Sequence, residues 1–239
     1  MVELKWPNRL TVIRHGESEQ NVALDLFQHD LEGVLAKQKK IRDADIQLTK
    51  KGFWQATETG KYLNTISPFD ICFVSPYCRT LQTIEAIQKE LDYKLLVYND
   101  FRLREKEFGR LHGFTTKEIK AKYPDEYEDR ERDGKFYYRL PRGENYPDVC
   151  DRIYSFLSKL SRDYAGQNVL IITHQVPYIL FKSLFEHLNE AEILALPKPP
   201  NCAIEQFELE TGKHPEGRLV QKIFNYIAYN PSDWIGKKK

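Results

Sequence analysis

Two histidines follow directly on apolar runs. Thr11-Val12-Ile13 leads into Arg14-His15-Gly16-Glu17, and Val169-Leu170-Ile171-Ile172-Thr173 leads into His174. Arg79 stands shortly after a third apolar run, Ile71–Val74, and Glu105 shortly after a fourth, Leu95–Tyr98. Together these residue types can transfer a phosphoryl group. A neutral imidazole keeps a lone pair near pH 7 and can attack phosphorus in line. Two guanidiniums can clamp the outer phosphoryl oxygens through paired, charge-assisted hydrogen bonds. A second imidazole can donate to an equatorial oxygen as charge redistributes. A carboxylic acid can protonate the departing oxygen and later deprotonate the attacking water. With Arg14, Arg79 and His174 supplying positive charge, no metal and no cofactor are expected. Taken singly, each residue has an ordinary structural explanation, and Glu105 sits in the charged run REKE. Their order, each at an element boundary, gives the set its weight.

The elements that must position them are readable. Leu10 to Ile13, Ile71 to Val74, Leu95 to Tyr98 and Val169 to Thr173 are apolar enough for strands covered on both faces of a parallel sheet. Ala203 to Leu209, which alternates and so sits nearer an edge, and Leu219 to Ile227 complete the strands. Thr49 can cap a helix with Phe53, Ala56, Gly60 and Leu63 on one face. Ser75-Pro76 has the form of an N-cap followed by proline. Asn145, with Asp148 three residues on, opens a helix continued by Val149, Ile153, Phe156 and Leu160. Strands alternating with helices predict an α/β fold with helices on both faces of the sheet. Ligands bind beyond the carboxyl ends of such strands, so the sheet would bring Arg14, His15, Arg79, Glu105 and His174 to one edge.

The 239 residues suit a single domain, 1–239, with insertions near 22–44 and 115–140. A formal net charge of +1 gives no general preference for nucleic acid or an anionic membrane. No apolar run is long enough to span a bilayer, and the first residues carry no secretory pattern. A cytoplasmic location is therefore expected, with Cys72, Cys78, Cys150 and Cys202 as free thiols. The basic stretch Lys37, Lys39, Lys40 and Arg42 is either a solvated loop or a second anion site. Tyr137-Tyr138 and Arg139, in the second insertion, are packing residues or line the leaving-group side.

Arg14-His15-Gly16-Glu17, Leu48-Thr49 through Gly52, Ser75-Pro76 with Arg79-Thr80, Leu103-Arg104-Glu105 with Phe108-Gly109, Gly143-Glu144 with Arg152, and Thr173-His174 occur in one order. In that order they resemble the histidine phosphatase, or phosphoglycerate mutase-like, superfamily, from about residue 9 to 180, with Asn201-Cys202 a weaker echo. The resemblance implies a three-layer α/β/α sandwich with a mostly parallel, doubly wound sheet. It implies His15 as nucleophile, Arg14, Arg79 and His174 holding the phosphoryl group with help from Asn21, and Glu105 as general acid and base. Gln175 stands where the family often has glycine and could serve the substrate through its backbone N–H or narrow the pocket. The segments after the acid are similar to an acid-phosphatase-like subgroup of fungi and bacteria. Mutases of this kind usually carry tyrosine where this chain has Phe108, together with an Arg-Arg pair that it lacks. Hydrolysis of a small phosphorylated substrate is the resulting expectation. Phosphoryl transfer of the mutase type and a non-catalytic binding module are the alternatives, and nothing in the sequence points to a protein partner.

Overall fold

The computed structural model describes residues 4–27, 41–212 and 216–237. Six strands form one sheet: β1 (Arg9–Arg14), β2 (Ile71–Val74), β3 (Leu96–Asn99), β4 (Asn168–Thr173), β5 (Ile204–Glu210) and β6 (Arg218–Tyr226), in the order β3-β2-β4-β1-β5-β6. The first four are parallel; β5 runs antiparallel to β1, and β6 antiparallel to β5. The helices among the described residues are α1 (Glu19–Phe27), α2 (Lys50–Asn64), α3 (Cys78–Gln88), α4 (Thr116–Lys122), α5 (Pro124–Tyr137), α6 (Tyr146–Asp163), α7 (Gln175–Glu186) and α8 (Glu190–Ala195).

Strand alternation sends side chains to two cores. Leu10, Val12, Phe73, Val169 and Ile171 pack with Val149, Ile153 and Phe156 of α6 and with Tyr178 and Phe181 of α7. Ile13, Val74, Leu170 and Ile172 pack with Ala56 and Leu63 of α2 and with Ile84 and Ile87 of α3. The result is three layers, α/β/α. After β1 the chain leaves for the α2 face, and after β4, its neighbour, for the α7 face. The sheet therefore splits into a crevice between the carboxyl ends of β1 and β4, where a doubly wound sheet binds ligands.

Several expectations need correction. β3 is an edge strand: Leu96, Val97 and Tyr98 are exposed. β5, expected nearer an edge, lies between β1 and β6 and begins with four buried residues. Hydropathy reports a strand but not its neighbours. Phe53 is exposed, and α2 buries Gln55 and Thr59 instead. Ser75-Pro76 does not cap a helix, because α3 starts at Cys78 after Tyr77. Asn145 does cap α6, in a reciprocal capping box with Asp148.

Of the first insertion, residues 28–40, with Lys37, Lys39 and Lys40, lie outside the described residues. Arg42 pairs with Asp45 at 2.7 Å. The second insertion folds into α4 and α5, with a small core of Leu111, Ile119, Tyr138 and Leu140. All four cysteines are free. No helix of the described residues is long and apolar enough to cross a membrane.

Candidate active site

The register of β1 on β4 sets Arg14 beside Thr173. The next residues, His15 and His174, therefore leave the sheet side by side, with ring centroids 5.2 Å apart. His15 is 3% exposed, and its Nδ1 lies 2.7 Å from the carbonyl oxygen of Gly16. A carbonyl can only accept, so Nδ1 carries the proton and Nε2 keeps the lone pair. Burial, then the charges of Arg79 and Arg14, hold His15 well below the usual imidazole range, so it is neutral near pH 7.

His174 is fully buried, and its Nε2 lies 2.8 Å from Ser75 Oγ. That hydroxyl oxygen also accepts from the Tyr77 N–H, at 3.5 Å; with its own O–H given to Nε2, the His174 proton is on Nδ1. Nδ1 is buried with no partner, and so is Arg14 Nε. Buried donors of folded proteins are nearly always bonded, and two orphans beside two arginines mark a place for an anion. Arg14 Nη1 donates to Pro199 O at 2.6 Å, and burial lowers its pKa to about 10. Arg79, 2% exposed, is held at one end by Asp43, through the backbone O at 2.6 Å and Oδ1 at 2.9 Å. The other end of its guanidinium remains for a ligand.

Glu105 sits against the start of α7. Its Oε2 accepts from Gln175 N at 3.0 Å, and its Oε1 from Val176 N at 3.1 Å and Lys106 N at 2.8 Å. Burial raises its pKa, and the Lys106 and Val176 N–H groups and the Arg79 charge only partly oppose that. The loop carrying it is pinned from two sides. Thr173 Oγ1 donates to Leu103 O at 2.7 Å. Arg152 donates to Glu105 O at 3.1 Å while paired with Glu144, which also takes Arg104. The Gly143-Glu144 and Arg152 motif thus holds the Glu105 loop in place.

The first histidine loop relies on close backbone contact. A Cβ on Gly16 would lie 2.5 Å from Gly52 O, and one on Gly52 would lie 2.1 Å from Glu17 O. Only glycine fits at either position. Asn21 Oδ1 accepts from Ser18 N at 3.1 Å and from Asn201 Nδ2 at 3.0 Å, leaving its N–H2 as the end able to donate. Asn201 also donates to His15 O at 3.1 Å, which gives the Asn201-Cys202 echo a bracing role.

The predicted Arg14, His15, Arg79, Glu105 and His174 are thus gathered at one crevice, with Asn21 held beside His15 by Asn201. Gln175 differs from expectation in one respect: its backbone N–H is taken by Glu105, and the residue lines a neighbouring cavity. Asp43 and Ser75 were not anticipated as parts of the site. Ser75, directly after β2 on the shared edge, had a positional signal; Asp43 had none. Among the described residues, no group of three or more His, Cys, Asp or Glu side chains is placed to hold a metal ion. A larger cavity, about 810 Å³ against Trp6, Leu157 and Phe185, lies near the opposite edge of the sheet and contains none of these residues.

Comparison with known proteins adds independent findings. The family model for the histidine phosphatase superfamily (branch 1) matches residues 10–220. A phosphoglycerate mutase-like protein of Arabidopsis thaliana is 30% identical over 226 residues, 86% of this chain and 66% of that protein. The 6-phosphofructo-2-kinase/fructose-2,6-bisphosphatase 3 of Bos taurus is 29% identical over 208 residues, 86% of this chain and 39% of that protein. The chain thus spans just under two thirds of the plant relative and well under half of the bovine one. Bacillus stearothermophilus YhfR superposes with a TM-score of 0.70 at 24% identity, covering 90% of this chain and 96% of that one. Mycobacterial glucosyl-3-phosphoglycerate phosphatase, in complex with inorganic phosphate, superposes at 0.68 and 21% identity, covering 92% and 98%.

Proposed function

The chain belongs to the histidine phosphatase superfamily, branch 1, and on that footing we propose that it hydrolyses phosphate monoesters through a phosphohistidine formed on His15. The observation that carries the proposal is the locked tautomer of His15, whose Nδ1 is bound to Gly16 O at 2.7 Å, beside the unpartnered buried donors of Arg14 and His174. In this reading the lone pair of His15 Nε2 attacks phosphorus and the ester oxygen leaves with the Glu105 proton. Arg14, Arg79, His174 Nδ1 and Asn21 hold the outer oxygens. Water, deprotonated by Glu105, then attacks the phosphohistidine, which restores His15 and releases phosphate.

Hydrolysis is favoured over mutase transfer by Phe108, which puts no hydroxyl where mutases usually carry tyrosine, and by the lack of an Arg-Arg pair. The test is hydrolysis of p-nitrophenyl phosphate without added metal, with EDTA, and by His15→Ala. Hydrolysis that survives EDTA and is lost in the variant is expected. Unchanged activity in His15→Ala removes the nucleophile assignment. Fast transfer between phosphoglycerates with slow hydrolysis replaces the phosphatase with a mutase, and no turnover of either kind leaves a binding module.

A further inference from the structure

The backbone that carries the proposed nucleophile is held at each of its polar groups. His15 N–H donates to Thr173 O at 2.9 Å, and His15 O accepts from Cys202 N at 3.2 Å and from Asn201 Nδ2 at 3.1 Å. Gly16 N–H donates to Thr83 Oγ1 at 3.1 Å, and Gly16 O takes the His15 ring proton. Glu17 N–H donates to Gln55 Oε1 at 2.8 Å, and Glu17 O accepts from Thr49 N at 2.9 Å.

Gln55 is a polar residue on the buried face of α2, 3% exposed. A buried amide has both ends bonded in a settled structure. Glu17 N–H can only donate, so the Gln55 oxygen faces it and the amide nitrogen turns to Tyr229, donating to its hydroxyl oxygen at 3.1 Å. The Tyr229 O–H then goes to Asn201 O at 2.9 Å. Asn201 reaches back through its side chain to His15 O and to Asn21 Oδ1. The bonds close a ring through Glu17, Gln55, Tyr229, Asn201 and His15. Tyr229 enters that ring from the segment after β6, with its phenol edge-on to Trp54 at 5.3 Å. Loss of its hydroxyl alone would leave two groups, Gln55 Nε2 and Asn201 O, without these partners.

Resting on the phosphatase reading, we propose that Tyr229 is a positioning residue for phosphoryl transfer. By tying Gln55 to Asn201 it fixes the backbone from His15 to Glu17, and with it the direction of the His15 Nε2 lone pair. The role belongs to the hydroxyl and not to the packing of the ring. Arg79 and His174 stand on other segments, so the grip on phosphate is largely separate from this ring of hydrogen bonds.

The experiment measures kcat for p-nitrophenyl phosphate, and the inhibition constant of inorganic phosphate, in the unmodified protein, Tyr229→Phe and Trp54→Phe, each well below its Tm. Misplacement by a remote change is costly in rate, so Tyr229→Phe should lower kcat by about 10- to 100-fold while the inhibition constant moves by less than about threefold. Trp54→Phe trims the packing on Tyr229 and removes none of these hydrogen bonds, so it should lower Tm and leave kcat close to that of the unmodified protein. An unchanged kcat in Tyr229→Phe overturns the proposal. So does an equal loss of kcat in Trp54→Phe, or a phosphate affinity that falls in step with kcat. Should Tyr229→Phe fail to fold, Gln55→Met opens the same ring from the other side and is read in the same way. Activity lost in His15→Ala but kept in Tyr229→Phe removes the positioning role and leaves the phosphatase reading standing. If the unmodified protein hydrolyses nothing, the phosphatase reading fails, and nuclear magnetic resonance of the His15 ring nitrogens decides the positioning separately. One tautomer in the unmodified protein and in Trp54→Phe, with a mixture in Tyr229→Phe, supports it, and identical spectra in all three end it.

Discussion

Arg79 is fixed by Asp43 twice over, through the backbone oxygen and through the carboxylate, and the same carboxylate helps push Glu105 upward. One residue therefore positions the arginine proposed to clamp phosphate and biases the proposed acid toward its protonated form. Asp43→Asn keeps an acceptor for Arg79 but removes the charge. The loss of activity at high pH, where Glu105 ionises, should then move to lower pH in the kcat/KM profile. A profile that stays in place would show that Asp43 is not coupled to the acid.

Glu105 and His15 set opposite limits on pH. In the proposed reaction His15 must be neutral to attack, and its pKa lies well below 6.5, so the acidic limb falls well below neutrality. Glu105 must be protonated in the first step, and its pKa is raised from 4.5, so activity falls as pH rises through that raised value. An optimum between the lowered His15 pKa and the raised Glu105 pKa is expected. Glu105→Gln should lower kcat by about 10²- to 10⁴-fold for an alkyl phosphate. For p-nitrophenyl phosphate, whose leaving group needs less protonation, the loss should be much smaller. Equal losses for the two would remove Glu105 as the acid.

Ser75 orients His174. Its hydroxyl bonds Nε2 at 2.8 Å inside a fully buried environment. Ser75→Ala leaves that nitrogen unpaired and frees the ring to exchange tautomers, turning an acceptor toward the phosphoryl site. A fall in kcat of about 10- to 100-fold is expected, comparable with loss of a single oxyanion donor or somewhat below it. Nuclear magnetic resonance of the His174 ring nitrogens provides a second readout: the variant should show a mixture of tautomers where the unmodified protein shows one.

Gly52 tests the packing beneath the nucleophile. An added methyl would meet Glu17 O at 2.1 Å, so the first histidine loop must move away from α2. Gly52→Ala should destabilise the protein by about 1–3 kcal/mol, as overpacking does, and lower kcat further by displacing His15. A fully stable and active variant would show that the loop yields freely.

The residues gathered at the crevice were legible because each comes after an apolar run, and runs that pair in parallel must end at one edge. His15 and His174 show this directly, since Arg14 and Thr173 stand opposite each other in the sheet. What could not be read depends on which strands become neighbours and which loops fold back. The exposure of Leu96 to Tyr98 and the burial of β5 follow from strand order, which local hydropathy does not encode. The grip of Asp43 on Arg79 joins distant segments through a single contact. Of the two readings of Gln175, service through its N–H and narrowing of the pocket, the first meets the position of Glu105 against α7, which claims that N–H.

Glu205 offers a prediction remote from the chemistry. It lies in β5, fully buried; its Oε1 accepts from Gln221 Nε2 at 2.6 Å, and its Oε2 has no partner. Lys182, whose charge acts on it, is engaged by Glu186 and Gln221. Burial raises the Glu205 pKa well above 4.5. The sign follows from linkage. At low pH both the folded and unfolded forms are protonated and the group costs nothing. As pH rises past the ordinary carboxylate value the unfolded chain releases the proton first, so stability declines until the folded group also ionises. Beyond that point the loss is constant. Glu205→Gln keeps the acceptor for Gln221 and cannot ionise, so it should raise Tm at pH 8 and change it little near pH 4.5. Relief of about 1 kcal/mol corresponds to about 2–4 °C in a chain of this size. Thermal unfolding of both proteins at the two pH values checks it. A gain at pH 4.5 as large as at pH 8 would mean that the substitution acts through packing rather than through the charge.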